Sequence, residues 1–375
     1  MPSTAYLLNQ ISTAKQPFFV IPIAVFTTKI VFPSPEIFSA IHRSELLGHR
    51  TGVTFPLSSS LRQQLSKQGS TTMINQVNAR SRQRRRDLLD WLRALPYLAP
   101  SLIVFTVFVF LPLIRSVNLS MHSTNPIGQM VSFVGLKYYA RLMSSPEYHN
   151  SLVVTVKFVL YTVPGVLILS LILATLANLP LRGISIFRII FALTIAISGA
   201  TAALLFMFLY NPVVGIFNYL LGLVSIAPIP WLIDTKTALI AVAIPRIWIQ
   251  SGFATVVLLA GMQGISEEIY DAARIDGAGS WRIWRHITFP LITPSLFFLL
   301  IVTTLSAFQT FTEVNVLTSG GPVNSTQVVV HEIYRSFYFN GQYGNASAQA
   351  LVLFVVILAL TAIQFGVVEK RVHYS

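Results

Sequence analysis

No cysteine occurs in the 375 residues. Disulfides, thiolate catalysis, iron–sulfur clusters and cysteine-based zinc sites are therefore excluded. The seven histidines are scattered, with no His-x-x-x-His pair, so no histidine metal site is expected. No Gly-x-x-x-x-Gly-Lys-[Ser/Thr] phosphate loop occurs, so the chain is not expected to hydrolyse ATP itself, and no cofactor is expected. Charge is scarce: Asp, Glu, Lys and Arg make up 10% of the residues, against roughly 25% in soluble domains. The charge present is lopsided, with 13 acidic and 26 Lys or Arg residues and a net +13.

Apolar residues fill the space, at 54% of the chain and a mean hydropathy of +0.67. A soluble core cannot absorb so many, so lipid is the expected solvent. The apolar residues form continuous runs of about 20, the helical length that crosses a bilayer. A transmembrane β-barrel would show short alternating segments. The fold class is therefore an all-α integral membrane protein. In a soluble protein the basic balance would suggest nucleic acid. Here it fits the basic residues that orient membrane helices from the cytoplasmic side, and no nucleic-acid partner is expected.

Six spans are expected, at about residues 97–117, 150–178, 184–210, 237–261, 289–312 and 347–368. Arg80, Arg82, Arg84, Arg85, Arg86 and Arg93 precede the first, which makes 73–96 a basic cytoplasmic segment. Arg182 and Arg188 lie in the second connection, Arg274, Arg282, Arg285 and His286 in the fourth, and the 369–375 tail is basic. All these clusters fall on one side, so both termini are expected in the cytoplasm. The apolar stretch 213–232 is broken by Gly and Pro. It reads as a short helix in or dipping into the outer interface, since a seventh span would spoil the alternation. Residues 1–72 are rich in Ser, Thr and Gln, and Met73 begins a stretch that reads naturally as a start. They are expected to be dispensable or to precede the true start, the alternative being a regulatory or amphipathic extension.

The fourth connection holds the most informative stretch, YDAARIDGAGSWRIWRHITFPL, from Tyr270 to Leu291. Ser266 is placed to cap a helix whose first turn carries Glu267 and Glu268, complementing the helix dipole. Ile269, Ala272 and Ala273 then share a face. Gly277 follows Asp276 as a natural helix stop, and Ser280 is placed to cap a second short helix in which Trp281, Trp284 and Ile287 share a face. The small residues Ala272, Ala273, Gly277, Ala278 and Gly279 leave room for another protein to approach closely. The plain alternative is an amphipathic loop helix at the lipid interface.

This stretch resembles the EAA loop of ABC importer permeases, whose pattern is Glu-Ala-Ala, then Asp-Gly-Ala, then Ile-x-x-Pro. Here it stands as Asp271-Ala272-Ala273, Asp276-Gly277-Ala278 and Ile287-Thr288-Phe289-Pro290. Asp271 occupies the family's Glu position, keeping the charge on a side chain one methylene shorter. Leu317–Thr326 (LTSGGPVNST), Glu332–Tyr338 (EIYRSFY) and Gly344–Val356 (GNASAQALVLFVV) narrow the resemblance. They are similar to carbohydrate-importer permeases of the maltose and glycerol-phosphate type, over about residues 88–375. The resemblance implies the type I ABC importer permease fold and a non-enzymatic subunit in the inner membrane. It implies a second, homologous permease, two cytoplasmic ATP-binding subunits and an extracytoplasmic solute-binding protein as partners. It implies that Asp271, Ala272, Ala273, Asp276, Gly277 and Ala278 couple the chain to the ATPase.

Polar groups inside spans are functional candidates because burying them in lipid is costly, roughly 2.5–3.5 kcal/mol for an arginine on insertion scales. Arg246, Ile249, Gln250 and Phe253 recur at i, i+3, i+4 and i+7 in the fourth span. Ser306, Gln309, Thr310 and Glu313 repeat that spacing at the end of the fifth. Together they offer the bidentate hydrogen bonding and aromatic face that sugars take, with Arg246 and Glu313 able to pair across a cavity. The plain alternative is polar glue between helices. The resemblance implies a substrate pathway lined from these two helices. Arg246 departs from a neutral amide in the family, which leaves an anionic substrate open beside a sugar. Two rival classes are weaker. An ion-coupled secondary transporter predicts internal repeats and ion-coordinating broken helices, and the sequence displays neither. A membrane enzyme needs a convergent acid, base or metal set, and Arg246 with Glu313 is the only buried charge set in the spans.

Overall fold

The computed structural model describes residues 96–367. The expectations for residues 1–95 and for the 369–375 tail lie outside the described residues. Among the described residues, four helices are long and apolar enough to cross a membrane: α1 (Pro96–Ser120), α3 (Pro146–Ala177), α7 (Ala238–Gln263) and α13 (Tyr343–Val367). Two bent pairs bring the number to six if each pair is one span. The first joins α4 (Ile184–Leu193), through a single 3-10 turn Thr194–Ala196, to α5 (Gly199–Leu209). The second joins α9 (Ser280–Leu291) to α10 (Thr293–Phe308). Short helices lie between them: α2 (Lys137–Ser144), α6 (Ile216–Leu223), α8 (Glu267–Ile275), α11 (Thr312–Leu317) and α12 (Val329–Tyr334).

The bends depart from the continuous third and fifth spans expected from hydropathy, and local chemistry explains both. α4 and α5 meet at 106°. Ile197 and Ser198 are extended, and the Ser198 side chain accepts from Thr201 N, starting a new helix with its own cap. α9 and α10 meet at 60°. Pro294 has no N–H to offer the carbonyl of Pro290, four residues back. The Thr293 hydroxyl donates to that carbonyl instead, at 2.6 Å.

The same device recurs inside α7. Pro245 cannot donate to Ala241 O, and buried Tyr210 fills the gap, its hydroxyl donating to Ala241 O at 2.8 Å. In lipid no water can stand in for a freed carbonyl. Tyr210→Phe should therefore destabilise the bundle by about 1 kcal/mol or more. Thermal unfolding of the purified chain in detergent checks this, and an unchanged midpoint would remove the role.

α6 is eight residues long, too short to cross a membrane, as the Gly- and Pro-broken sequence suggested. Buried Asn218 pins the chain that follows: it donates to Ile229 O and accepts from Ile229 N and Trp231 Nε1, at 3.0–3.1 Å. One feature was not expected from sequence. Residues after α1 form a small antiparallel hairpin of β1 (His122–Thr124) and β2 (Met130–Phe133). Asn125 Oδ1 accepts from Ile127 N and Gln129 N, and Gly128 takes φ +79°, so Asn-Pro-Ile-Gly makes the turn.

The core runs along α3, α7 and α10. Val166, Leu258 and Leu299 are fully buried there. Membrane helices gain little from hydrophobic exclusion and associate through close packing at small residues. Gly165 on α3 supplies such a place: a β-carbon there would press to 2.6 Å from Ile247 Cδ1. Gly261 on α7 does the same against Ser295 Oγ on α10, at 2.7 Å. The apolar faces of α1 are largely exposed, as a lipid-facing helix requires.

Candidate functional site

Two regions carry the residues singled out in the sequence. The first is the loop between α7 and α10. α8 ends in a paired C-cap: Gly277 N donates to Arg274 O at 3.0 Å, and Ala278 N to Ala273 O at 2.9 Å. Gly277 is left-handed, at φ +76°, the conformation this cap demands and glycine adopts freely. The stop expected at Gly277 is therefore present. The side-chain caps are not. Ser266 holds the N-cap position of α8 without a side-chain hydrogen bond, and α9 has Gly279, not Ser280, as its N-cap residue. Ser280 is already the first helical residue, so its hydroxyl cannot reach the donors that an N-cap serves.

α8 buries no residue at all. Ile269, Ala272, Ile275, Asp271 and Asp276 are exposed, and Ala273 and Ala278 are half-buried. Asp271 pairs within its own helix, with Arg274 Nη1 at 2.7 Å from Asp271 Oδ1. Both partners are over half exposed, so the pair contributes little stability. Two polar ties fix the loop, one within it from α8 to α9 and one from it to α3. Tyr270 and Thr288 hydroxyls lie 3.2 Å apart, and Trp284 Nε1 donates to Thr175 Oγ1 at 3.3 Å. Trp281 stacks on Trp284 at 5.1 Å while staying exposed. The result is a helix held through Tyr270, apolar on one side and otherwise uncovered among the described residues.

The second region lies where α10 ends. Arg246 on α7 donates through Nη2 to Ser306 O at 3.0 Å and also to Ser306 Oγ. Gln250 Nε2 donates to Ser306 Oγ at 2.6 Å. Arg246 Nη1 meets Glu313 Oε1 at 3.0 Å, and the Glu313 side chain is 1% exposed. The pairing that the sequence left open is thus formed. Its geometry follows from the break in the helix. Thr310 N turns back to Ala307 O, which leaves Ser306 O without its helical donor, and the guanidinium takes that place. A cation is also favoured at a helix C-terminus by the dipole.

The regular i, i+3, i+4, i+7 face expected from Ser306 to Glu313 is broken at the same point. α10 stops at Phe308, and Phe311 adopts φ −135° as its ring packs against Tyr334 at 4.8 Å. Ser306 and Glu313 converge on Arg246, whereas Gln309 is exposed and Thr310 is buried. On α7 the face holds: Ile249 is half-buried one turn from Arg246, and Phe253 is exposed further along. Four buried polar atoms of this region have no hydrogen-bond partner: Arg246 Nε, Gln250 Oε1, Thr310 Oγ1 and Glu313 Oε2. Sequence reasoning missed Gly199 at the start of α5. A β-carbon there would stand 3.4 Å from Glu313 Oε1, so the glycine lets that helix start lie against the carboxylate.

Residues 71–374 match the family model described as binding-protein-dependent transport system inner membrane component. The chain belongs to this family. The permease is 38% identical over 287 residues to the sn-glycerol-3-phosphate transport system permease protein UgpA of Agrobacterium fabrum, covering 76% of this chain and 97% of that one. It is 34% identical over 272 residues to the trehalose/maltose transport system permease protein MalF of Thermococcus litoralis, covering 72% and 92%. In fold it is similar to a chain of a bacterial ABC transporter involved in the import of the acidic polysaccharide alginate. That match has a TM-score of 0.64 at 22% identity, over 77% of this chain and 99% of the other. The family and the apolar helices make the permease an inner-membrane transport component that works with a binding protein, and the solved relative shares its architecture.

Proposed function

We propose that this permease forms half of the pathway of an ATP-driven ABC importer for a sugar or sugar-like solute. The observation that carries the solute reading is the convergence of Arg246, Gln250, Ser306 and Glu313 at a helix break, with four buried polar atoms left unpartnered. Sugars present several hydroxyls that both donate and accept, which suits such a set. Glu313 already neutralises Arg246, which favours a neutral polyol at this point. A glycerol-phosphate or other polar solute is the second reading, supported by the likeness to the sn-glycerol-3-phosphate transport system permease of Agrobacterium fabrum.

A second, homologous permease completes the pathway. Two ATP-binding subunits hydrolyse ATP in the cytoplasm, and an extracytoplasmic solute-binding protein delivers the solute. The exposed α8, with Asp271, Ala272, Ala273, Asp276, Gly277 and Ala278, seats in the ATP-binding subunit. Both termini lie in the cytoplasm, and lipid surrounds the spans. Closing of the ATP-binding subunits biases the bundle between inward and outward access, a two-state element driven by ATP.

Co-purification through a C-terminal tag tests the assembly. A second permease and an ATP-hydrolysing subunit should come down in stoichiometric amount, and recovery of the chain alone would overturn the reading. Gln250→Ala tests the pathway. Loss of one hydrogen bond worth about 1–1.5 kcal/mol raises the half-saturating solute concentration roughly tenfold. If Arg246→Ala and Gln250→Ala together leave uptake affinity and selectivity unchanged, the cluster only holds helices together.

A further inference from the structure

A polar cavity of about 260 Å³ opens at the start of α3, beside α2, α12 and the first turns of α13. It belongs to neither region described above. The ties of the α8 loop engage Thr175 near the other end of α3, and the helix between is 32 residues, about 48 Å long at 1.5 Å per residue.

Three side chains lining the cavity are more than nine-tenths buried: Tyr148, Asn345 and Gln349, at 1%, 8% and 2% exposure. Each carries an oxygen with no hydrogen-bond partner, namely the Tyr148 hydroxyl, Asn345 Oδ1 and Gln349 Oε1. The amide nitrogens are engaged, Asn345 Nδ2 with Gln342 Oε1 at 3.4 Å and Gln349 Nε2 with Ser336 Oγ at 3.2 Å. The oxygens are thus left to accept. Burying three unpartnered polar groups is costly, on the order of 1–3 kcal/mol each. Around them stand two arginines and two carboxylates. Arg141 and Arg335 are exposed and have no salt-bridge partner among the described residues. Glu332 already accepts from Gln327 Nε2 at 2.7 Å, and Glu147 completes the set.

We infer that this cavity is a second ligand site, which holds one neutral polyhydroxyl ring. The charges select the class. An anion drawn to Arg141 and Arg335 would meet Glu147 and Glu332, and a cation drawn to the carboxylates would meet the arginines. An apolar group would leave the three oxygens unpartnered. Hydroxyls donate to the amide oxygens and the carboxylates, and accept from the guanidinium groups and the phenol. The volume lies just below the roughly 300–1,000 Å³ of ordinary small-molecule pockets, which suits a single ring and not an oligosaccharide. The site rests on its own geometry and stands whether or not the Arg246 cluster touches solute.

The test uses the full chain in lipid nanodiscs and saturation-transfer NMR, with methyl α-D-glucopyranoside as the probe. A Gln250→Ala background weakens any contribution from the Arg246 cluster. Ring-proton signals should appear in that background. Adding Gln349→Leu should weaken binding at least tenfold, and Tyr148→Phe severalfold. Thermal melts follow folding, and if Gln349→Leu melts early then Tyr148→Phe carries the test. No signal from the parent background, or a signal indifferent to both added substitutions, would overturn the site. Displacement of the probe by inorganic phosphate more readily than by glycerol would overturn its neutral class. Failed uptake in cells would bear on the transport reading and leave this binding result untouched.

Discussion

Gly277→Leu is expected to abolish ATP-driven uptake while leaving the permease folded and in the membrane. The separation of the two effects comes from the geometry at that residue. Gly277 sits at φ +76°, and a β-carbon there would meet nothing within 4 Å. The start of a leucine side chain therefore meets open space. The variant bears only the strain of a left-handed residue, about 1–2 kcal/mol, in an exposed loop. A partner pressed against the α8 turn would meet the new side chain directly, and a few ångströms of displacement unseats a rigid contact. Uptake assays and quantified membrane levels decide the matter. Normal uptake with normal assembly would mean that this turn is not where ATP hydrolysis is felt.

The second large effect is expected at Glu313. Glu313→Ala leaves the Arg246 guanidinium among helices without its carboxylate. Removing one partner of a buried pair costs about 3–5 kcal/mol, because the remaining charge is uncompensated. The variant should lose most of its folded yield and melt far earlier. Adding Arg246→Ala should restore much of that loss, since no lone charge then remains. A single variant as stable as the parent would show that the pair has no structural role. A double variant no better than the single would assign the damage to Glu313 alone, through its contact with α5 at Gly199.

Hydropathy was enough to find the apolar segments, four as single helices and two as bent pairs, because lipid imposes one requirement on every residue of a span. The Gly277 turn was legible for a similar reason: left-handed backbone restricts the residue type. The bends were not legible as bends. Both depend on where a hydroxyl finds a carbonyl or an amide, as Thr293 and Ser198 do, and apolar composition is blind to that. The pairing of Arg246 with Glu313 was readable as a possibility from cost alone. The break at Gln309–Phe311 was not, since there the Phe311 ring packs, tilted, against Tyr334 of α12, a contact between residues 23 apart in sequence. Tyr210 could have been found by asking which group serves the carbonyl that Pro245 abandons.

The close contact of Gly165 with Ile247 has a mechanical consequence. It pinches α3 between the Pro146 end, where the polar cavity opens, and Thr175, where Trp284 is tied. Measured from Gly165, the two arms are about 28 Å and 15 Å at 1.5 Å per residue. α3 buries residues along both arms, from Tyr148 to Ala177, so a side chain added at Gly165 would have to be absorbed along the whole seam, from the polar cavity to the Thr175 tie.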